Sequence, residues 1–461
     1  MGQRVERDTM GAVEVPEEAL WGAQTQRALG SGIPVGILPR ELLEALVVIK
    51  KGAARVNAEL GLLAPDVGRA IEAAADDVLA GGLWHHFPLS PFQTGSGTSA
   101  NMNANEVLAN RANELLGGRR GDPSPVHPND HVNRCQSSND VFPSAIHLAA
   151  AAGMRRRLLP AAGGLAQVLE AKAREFADVV KLGRTHLMDA VPVTLGQELG
   201  AYGRQVRAGA ERVEAAVAGL LELPLGGTAV GTGLNAHPEF GSRVIAWLSA
   251  ETGLLFRRAA DPFEAQGARD ACVFASGALR SLAIGLAKVA NDLRWMASGP
   301  GGGLAEIRLP ALQPGSSIMP GKVNPVVPEA VLQACAQVWG DDLAVAQGGV
   351  GGVLEINLMM PLIARNLLEE ISLLTGACSL LAERCVAGLE ADRERCRELV
   401  EGSLALATPL AAVVGYEAAA RVVEVARRDG LTLLDAAGRL GIAPDEELRR
   451  LLDPRAMTGV S

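Results

Sequence analysis

A glycine-framed segment carries the densest group of side chains in the sequence that could bind an anion. Residues 315–325 read GSSIMPGKVNP and place two hydroxyls, one lysine and one carboxamide within nine residues. Such a group can donate several hydrogen bonds to one anion and can move as a lid. It is not a nucleotide P-loop, because five residues rather than four separate Gly315 from Gly321 and Val323 replaces the magnesium-binding Ser or Thr. A plain connecting loop is the alternative.

Two other polar segments precede stretches that read as helices. Residues 95–100, GSGTSA, continue through NMNANE at 101–106 into a predicted helix, so their donors would lie at a helix N-terminus. The segment loosely fits a dinucleotide-binding pattern, but the preceding residues 87–91, FPLSP, make a poor strand. Simple helix capping is the alternative. Residues 136–140, QSSND, form a similar group of donors before an apolar helix.

Three histidines stand in polar segments. His127 and His131 lie four residues apart with Asp130 between them. Pro128 argues against both imidazoles on one helical face, and a closed metal site needs three or four ligands. His186 ends the motif GRTH and is followed by an acid three residues later, which makes it an acid/base candidate. A histidine satisfied at the surface or in the core is the alternative.

Long apolar stripes at helical spacing predict the scaffold that positions these segments. Their residues recur every three or four positions, which is the spacing of seams between packed helices. The stripes run through Val206, Ala210, Val213, Val217 and Leu220; through Leu282, Leu286, Val289, Leu293 and Met296; and through Leu367, Ile371, Leu374, Cys378, Leu381 and Cys385. Their length favours an extended helical bundle that can continue between subunits.

Composition excludes several classes of protein. Of the 461 residues, 48% are hydrophobic, which excludes intrinsic disorder as the main state. The chain carries 43 Lys+Arg against 52 Asp+Glu, so it lacks the overall basic charge that is expected of a nucleic-acid binder. Aromatic residues are 3% and glycines number 53, which favours close-packed helices. The six cysteines form no CxxC pair and read as buried reduced thiols. The N-terminus has no apolar signal segment, and the apolar residues 404–414 are too few to span a bilayer, so we expect a soluble, cytoplasmic protein.

The polar segments together resemble the signature motifs of the fumarase/aspartase superfamily. TGSGT, NMNANEV, HPNDHVN, QSSND, GRTHLMDAVPVTLGQE, GGTAVGTGLN and GSSIMPGKVNP stand in that family's order, and the resemblance runs from Arg7 or earlier to Met457. It is closest to the class II fumarate hydratases. WGAQTQR at residues 21–27, Ser96 and Ser138 resemble the fumarases, whereas VVPE at 326–329 is more similar to the aspartate ammonia-lyases.

The resemblance implies a mainly α, three-domain fold in which a long central helical bundle forms the core of a homotetramer. The implied domains are an N-terminal domain at 1–134, the central bundle at 135–389 and a small helical domain at 390–461. Active sites would be shared between subunits, with no metal or other cofactor, no nucleic acid and no membrane. The chain departs from the family at Gly30-Ser31-Gly32 and at Ala411, outside the motifs assigned to chemistry.

The implied reaction is the reversible hydration of fumarate to L-malate, a step of the tricarboxylic acid cycle, by way of an aci-carboxylate intermediate. Hydrogen-bond donors placed around the substrate carboxylate would stabilise it as it gains charge. By the same resemblance, Ser316 is the base, His186 handles the proton of the departing or attacking water, and Glu329 orients that water. Lys322 and Asn324 complete the catalytic set. The other substrate-binding residues would be Ser96, Thr98, Asn101, Ser137, Ser138, Asn139, Thr185 and Ser317, and a second anion site would comprise His127, Asn129 and Asp130.

Two alternatives remain from the sequence. One is an aspartate ammonia-lyase, which would use the same scaffold and the same aci-carboxylate. The other is a helical structural or binding protein that keeps the bundle but has lost catalysis. The presence of Ser316, Lys322, Asn324 and His186 speaks against the second alternative.

Overall fold

A computed structural model describes residues 2–459, and most of them are helical, which confirms the mainly α fold. The α-helices within these residues are α1 (Ala23–Leu29), α2 (Arg40–Glu59), α3 (Pro65–Leu79), α4 (Thr98–Leu115), α5 (Ser138–Gly153), α6 (Leu159–Glu175), α7 (Leu195–Leu220), α8 (Phe240–Thr252), α9 (Pro262–Gly267), α10 (Asp270–Met296), α11 (Val326–Gly349), α12 (Met360–Leu381), α13 (Arg393–Glu401), α14 (Thr408–Val414), α15 (Tyr416–Asp429), α16 (Leu433–Arg439) and α17 (Asp445–Leu451). Short 3₁₀ turns lie at Trp84–His86, Leu404–Ala407 and Ala456–Thr458, and π turns at Pro128–Val132, Met154–Leu158 and Ala382–Val386.

Strands are short and pair two by two. They are β1 (Gln3–Asp8), β2 (Gly11–Pro16), β3 (Val180–Thr185), β4 (Met188–Thr194), β5 (Glu222–Leu223), β6 (Arg257–Arg258), β7 (Ile307–Arg308), β8 (Gly352–Val353), β9 (Ile356–Asn357) and β10 (Glu390–Ala391). The pairs β1–β2, β3–β4, β7–β10 and β8–β9 are antiparallel, and β5–β6 is parallel. The hairpin β3–β4 carries His186, which the sequence predicts as a catalytic residue, between its strands.

The chain divides into two compact units, each assembled from several segments. The first unit comprises Met1–Pro160, Gly209–Ala283 and Cys335–Thr375. The second comprises Ala161–Ala208, Ile284–Ala334 and Gly376–Ser461. The division into three consecutive domains stays a prediction.

In the first unit, α2 is the central element, and it packs against α3, α5 and α8. The apolar side chains of Leu42, Leu46 and Ile49 on α2 are fully buried. One lysine, Lys50, is also fully buried on this helix. A buried ammonium requires polar partners, and Lys50 finds them in the side chains of Asn133 and Gln136.

In the second unit, the β3–β4 hairpin packs against α13 and the short turns of the C-terminal segment. Leu182 of β3 belongs to the same buried apolar cluster as Val400, Leu410, Val422 and Leu448 of the C-terminal helices. This cluster fixes the base of the hairpin and leaves its tip exposed.

The three apolar stripes are core residues, as predicted. All are buried except Ala210, which is partly exposed. One helix, α10, is long and apolar enough to cross a membrane by length and composition alone, which is weak evidence because 56% of its most apolar window is buried inside the protein. All six cysteines are free and buried, which confirms their interpretation as reduced thiols.

Two helix boundaries differ from the sequence interpretation. The polar residues 101–106 lie inside α4 rather than before it, because that helix already begins at Thr98. Asn103 is buried there, and its Nδ2 donates to the carbonyl of His86 at 3.0 Å. Helix α11 begins at Val326, whereas Pro328 and Glu329 in the sequence indicate a helix start two residues later.

Candidate active site

Three hydroxyls meet at the N-termini of two helices in the first unit. Oγ1 of Thr98 lies 2.7 Å from Oγ of Ser96 and 2.8 Å from Oγ of Ser138. Thr98 is the first residue of α4 and Ser138 the first residue of α5. The helix dipoles and free amides at such termini favour an anion. The cluster therefore suits a carboxylate.

Gly97 makes this arrangement possible. Its φ is 72°, and a Cβ at this position would lie 2.3 Å from the ring of Phe142. The backbone therefore turns tightly between Ser96 and Thr98, and the hydroxyl of Thr98 lies between those of Ser96 and Ser138.

Residues 137–140 form a rigid turn that presents further donors. Ser137 and Asp140 make a reciprocal capping box at the start of α5. The fully buried Asp140 also accepts hydrogen bonds from the amides of Gly226 and Thr228 at 2.9 and 3.0 Å. Burial raises the pKa of Asp140 to about 6, although these amides oppose the shift. Asn139 donates through Nδ2 to the carbonyl of Ala229 at 2.8 Å, so both residues attach the turn to residues 226–229.

Asn101 is placed inside α4 and is linked to a buried cation. Its Nδ2 donates to Oδ1 of Asn133 at 3.2 Å. That oxygen also accepts from Nζ of Lys50 at 2.9 Å, and Lys50 donates in addition to Oε1 of Gln136 at 2.9 Å. Burial lowers the pKa of Lys50 to about 7. Sequence interpretation missed Lys50, although a lysine in the apolar run VVIKK was a signal that could have found it.

The segment around His127 is a tight turn whose imidazoles serve the backbone. Nδ1 of His127 accepts from the amides of Asn129 and Asp130 at 3.2 and 3.1 Å, and Nδ1 of His131 accepts from the amide of His127 at 2.9 Å. Asn129 and Asp130 are exposed. The second anion site stays a prediction. Within residues 2–459, no group of three or more His, Cys, Asp or Glu side chains is placed to hold a metal ion.

In the second unit, His186 lies at the exposed tip of the β3–β4 hairpin. Thr185 and Met188 are the last paired residues, so His186 and Leu187 form a two-residue turn. Their φ angles are 57° and 60°. The turn geometry suits a hairpin, but non-glycine residues at positive φ are strained and are often found at functional sites.

Two features stiffen the hairpin below this tip. The pairing register shifts between Leu182 and Arg184. Gly183 at this position allows the two strands to approach closely, because a Cβ on it would lie 2.6 Å from the carbonyl oxygen of Val191. Arg184 donates through Nη1 to both carboxylate oxygens of the buried Glu306, at 2.9 and 3.0 Å. Sequence interpretation missed Glu306, since its partner lies 122 residues away along the chain.

The segment 315–325 forms a loop that is closed at its base. The amide of Gly315 donates to the carbonyl of Lys322 at 2.7 Å, and Nδ2 of Asn324 donates to the carbonyl of Gly315 at 2.8 Å. Between these contacts Ser316 is half-buried and residues 317–321 are exposed, and the side chain of Ile318 is 84% exposed. A loop closed at its base and open to solvent can move over a ligand.

The hydroxyl of Ser316 is held by the loop's own backbone. Its Oγ accepts hydrogen bonds from the amides of Ile318 and Met319, at 3.2 and 3.0 Å. Lys322, Asn324 and Glu329 line a cleft of about 1080 Å³ in the same unit. The second unit therefore contains a histidine, a serine with two amide donors, a lysine and a carboxylate, which are the groups needed to move protons and stabilise negative charge.

The sequence matches two known families. It matches the family described as lyase over residues 11–340 and the family described as fumarase C C-terminus over residues 406–459. It is 51% identical over 459 residues to "Fumarate hydratase class II" of Bordetella parapertussis, covering 99% of each chain. It is 53% identical over 461 residues to the protein of the same name from Mycobacterium tuberculosis, covering 98% of this chain and 96% of that one.

Two solved structures are similar to this protein over almost its whole length. A recombinant class II fumarase from Schistosoma mansoni is 38% identical, with a TM-score of 0.96 and 99% of each chain covered. A structure described as fumarate lyase:delta crystallin from Brucella melitensis bound to cobalt is 45% identical, with a TM-score of 0.95 and 100% of each chain covered.

Proposed function

The chain belongs to the class II fumarate hydratase family, and from this premise we propose how its residues carry out the reversible hydration of fumarate to L-malate. The protein is a hydro-lyase. The alternative of a helical bundle that has lost catalysis is not supported, because the relatives that match over the whole chain are named as fumarate hydratases.

The difficult step is removal of a weakly acidic proton. When malate is converted to fumarate, a proton leaves the carbon beside one carboxylate and passes to Ser316. The electron pair moves into that carboxylate, which becomes a dianionic aci-carboxylate. The carbon–oxygen bond of the hydroxyl then breaks, the electrons return to form the double bond, and His186 supplies a proton so that water departs. Glu329 orients this water.

The observation that carries the mechanism is the pair of amide hydrogen bonds on Oγ of Ser316. A serine alkoxide is a strong base that must be stabilised, and preorganised backbone donors stabilise it without reorganisation. The exposed Lys322 in the same loop adds a positive charge.

Carboxylate binding is the role of the neutral donors and Lys322. Ser96, Thr98 and Ser138 offer a compact hydroxyl cluster at two helix N-termini. Ser137, Asn139, Asn101, Thr185, Ser317 and Asn324 add further donors. Each donor that strengthens as the aci-carboxylate forms contributes on the order of 3 kcal/mol, or roughly a hundredfold in rate.

We also propose a homotetramer whose active sites combine residues of different subunits. Support comes from large apolar side chains on α10 and α11 that are between 44% and 62% exposed, namely Phe274, Ile284, Trp295, Trp339 and Leu343. Apolar groups of this size on long helices are typical of surfaces that pack against another copy. The expected location is the cytoplasm, and the expected metabolic role is the tricarboxylic acid cycle.

A substrate comparison tests the function. We expect L-malate to be converted at least roughly a thousandfold faster than L-aspartate, a difference of about 4 kcal/mol, since an ammonium group would meet donors where it needs acceptors. Absorbance of fumarate measures both reactions, and ammonia release provides an independent check on aspartate. Comparable rates on the two substrates, or faster release of ammonia from L-aspartate, would contradict this specificity.

A further inference from the structure

The buried carboxylate of Glu306 stands between the two segments that carry the proposed proton-transfer groups. Its side chain is 0% exposed, and it lies ten residues before Ser316 in the chain. Its two oxygens accept hydrogen bonds from Nη1 of Arg184, at 2.9 and 3.0 Å. Arg184 lies on β3, two residues before His186. This ion pair therefore joins the hairpin that carries His186 to the segment that leads to Ser316.

Glu306 is itself fixed by its backbone. Its amide donates to the carbonyl of Met296 at the end of α10, and its carbonyl accepts from the amide of Asp392, both at 2.9 Å. The carbonyl is also 3.6 Å from Sγ of the buried Cys396. With the backbone held on both sides and the side chain enclosed, the carboxylate is a rigid anchor for whatever binds it.

A second cation of the hairpin binds to the same anchor. Nζ of Lys181, which is 1% exposed, lies 3.4 Å from Oε2 of Glu306 and 3.0 Å from Oε2 of Glu198. Two cations of β3 thus face two carboxylates. A buried charge is tolerated when it is paired, and removal of one partner leaves the others uncompensated. Loss of the charge on Glu306 therefore loosens β3 at Lys181 and at Arg184 together.

The tip of the hairpin depends on this support. His186 and Leu187 both have positive φ, a conformation that persists in non-glycine residues only where the surrounding structure holds it. The side chain of His186 is exposed, so its position is set through the strands. The nearest buried polar contact on β3 is that of Arg184.

We propose that Glu306 is a positioning residue for the hydration reaction, which fixes the β3–β4 hairpin so that the imidazole of His186 is held where it exchanges a proton with water. The inference rests on the role given to His186 in the proposed function. Glu306 does not touch the substrate. It acts through Arg184 and Lys181.

The test is a double-mutant cycle between Glu306→Gln and His186→Asn. Glu306→Gln should lower kcat for L-malate roughly 10- to 100-fold and leave KM within about threefold, because misplacement by about 1 Å can cost a hundredfold in rate while the carboxylate donors remain. In the His186→Asn background the same change should lower kcat by less than about twofold, since the group that it misplaces is already gone. Asp178→Asn is the matched control, because it removes a carboxylate from an exposed ion pair with Arg393 in the same unit and should leave kcat and KM unchanged.

The outcomes separate this inference from the proposed function. If the two losses multiply, Glu306 does not act through His186 and the inference is wrong. If His186→Asn alone leaves kcat unchanged, the role of His186 in the proposed function is wrong. If Glu306→Gln fails to fold, Arg184→Lys takes its place in the double-mutant cycle. This variant keeps the positive charge but loses the geometry of the guanidinium, so we expect the same non-additive loss of kcat. Glu306→Asp, which keeps the anchor's charge, should recover most of the lost kcat.

Discussion

Oγ of Ser316 accepts hydrogen bonds from the amides of Ile318 and Met319. Hydrogen bonds that are given to the oxygen stabilise the alkoxide more than the alcohol, because charge-assisted hydrogen bonds are stronger. The two amides thereby lower the free energy of the alkoxide, which is the form of Ser316 that can accept a proton from carbon. Ser316 and His186 can therefore serve opposite ends of the same carbon–carbon bond.

Replacement of Ser316 by alanine tests whether Ser316 is the base and His186 the group that exchanges a proton with water. We expect Ser316→Ala to lower kcat by more than a hundredfold while a dicarboxylate inhibitor still binds, because a base acts on the transition state whereas carboxylate donors act on both states. Steady-state kinetics and inhibitor titration measure the two effects. The neighbouring Ser317→Ala should mainly raise KM. Turnover of Ser316→Ala within about tenfold of the parent protein, a loss of less than 2 kcal/mol, would exclude Ser316 as the base.

At the scale of elements, the long helices combine apolar stripes with a buried acidic group. Ser276 of α10 makes hydrogen bonds to Oδ1 of Asp342 at 2.9 Å and to Oε1 of Glu370 at 2.8 Å. A hydroxyl has one proton, so it donates to one carboxylate and accepts from the other, which must be protonated. Asp342 is paired with the guanidinium of Arg280 at 2.6 Å, whereas within residues 2–459 no such cation lies on Oε1 of Glu370. Glu370 is therefore the neutral acid, and burial, with nearby Asp342 and Asp341, raises its pKa to about 9.

This neutral acid predicts a pH dependence of stability. The unfolded state loses the proton near pH 4.5 and the folded state near pH 9, so between these values the folded state binds one proton more. The free energy of unfolding then falls as pH rises, by up to about 1.4 kcal/mol per pH unit. Glu370→Gln, which imitates the protonated acid, should remove this slope.

Thermal unfolding from pH 5.5 to 8.5 provides the measurement for Glu370→Gln. The variant should gain in Tm relative to the parent protein as the pH rises. Glu369→Gln on the same helix is the control, because Glu369 is partly exposed and pairs with Arg365 at 3.8 Å. A constant difference in Tm across this pH range would contradict the assignment of Glu370 as a neutral acid.

Residues that act locally were predictable from sequence, and residues that act at a distance were not. The apolar stripes could be recognised because helical spacing depends on neighbours three and four residues away. The asparagines of α4 were misplaced before the helix, since their burial depends on distant carbonyls such as that of His86. Lys50 and Glu306 escaped detection for the same reason, because their partners lie 83 or more residues away. The two-residue turn at His186 was also unforeseen, since it lacks the usual glycine or asparagine.

At the scale of the whole molecule, the exposed apolar side chains on α10 and α11 and the proposed sharing of active sites belong together. Trp339 and Leu343 are one helical turn apart on α11, and they are 44% and 62% exposed. In a single chain in water such groups favour association. If the partner is a second copy, residues near these helices can contribute to a neighbour's site.

Complementation between two inactive variants tests directly whether active sites are shared between subunits. Ser316→Ala and His186→Asn proteins, mixed in equal amounts after mild dissociation, should regain up to about a quarter of the parent activity. The reason is that random assembly combines intact residues from different chains in about that fraction of sites. The same proteins mixed without dissociation are the control. No recovery in verified hybrids, or a stable and active monomer in light scattering, would contradict sharing between subunits.

The exposed loop that carries Ser316 has a consequence for proteolytic cleavage. Lysine is rare in this chain, with six residues in 461. Four of them lie inside helices and one lies on a strand with 1% exposure: Lys50 and Lys51 in α2, Lys172 in α6, Lys288 in α10 and Lys181 in β3. Exposed loops are the preferred sites of nicking, so a lysine-specific protease should cut the native protein first after Lys322 and separate residues 1–322 from 323–461. If the loop closes over a dicarboxylate, the rate of cleavage after Lys322 will fall as the ligand is added. Mass spectrometry of the digest then measures loop closure through the amount of the two fragments.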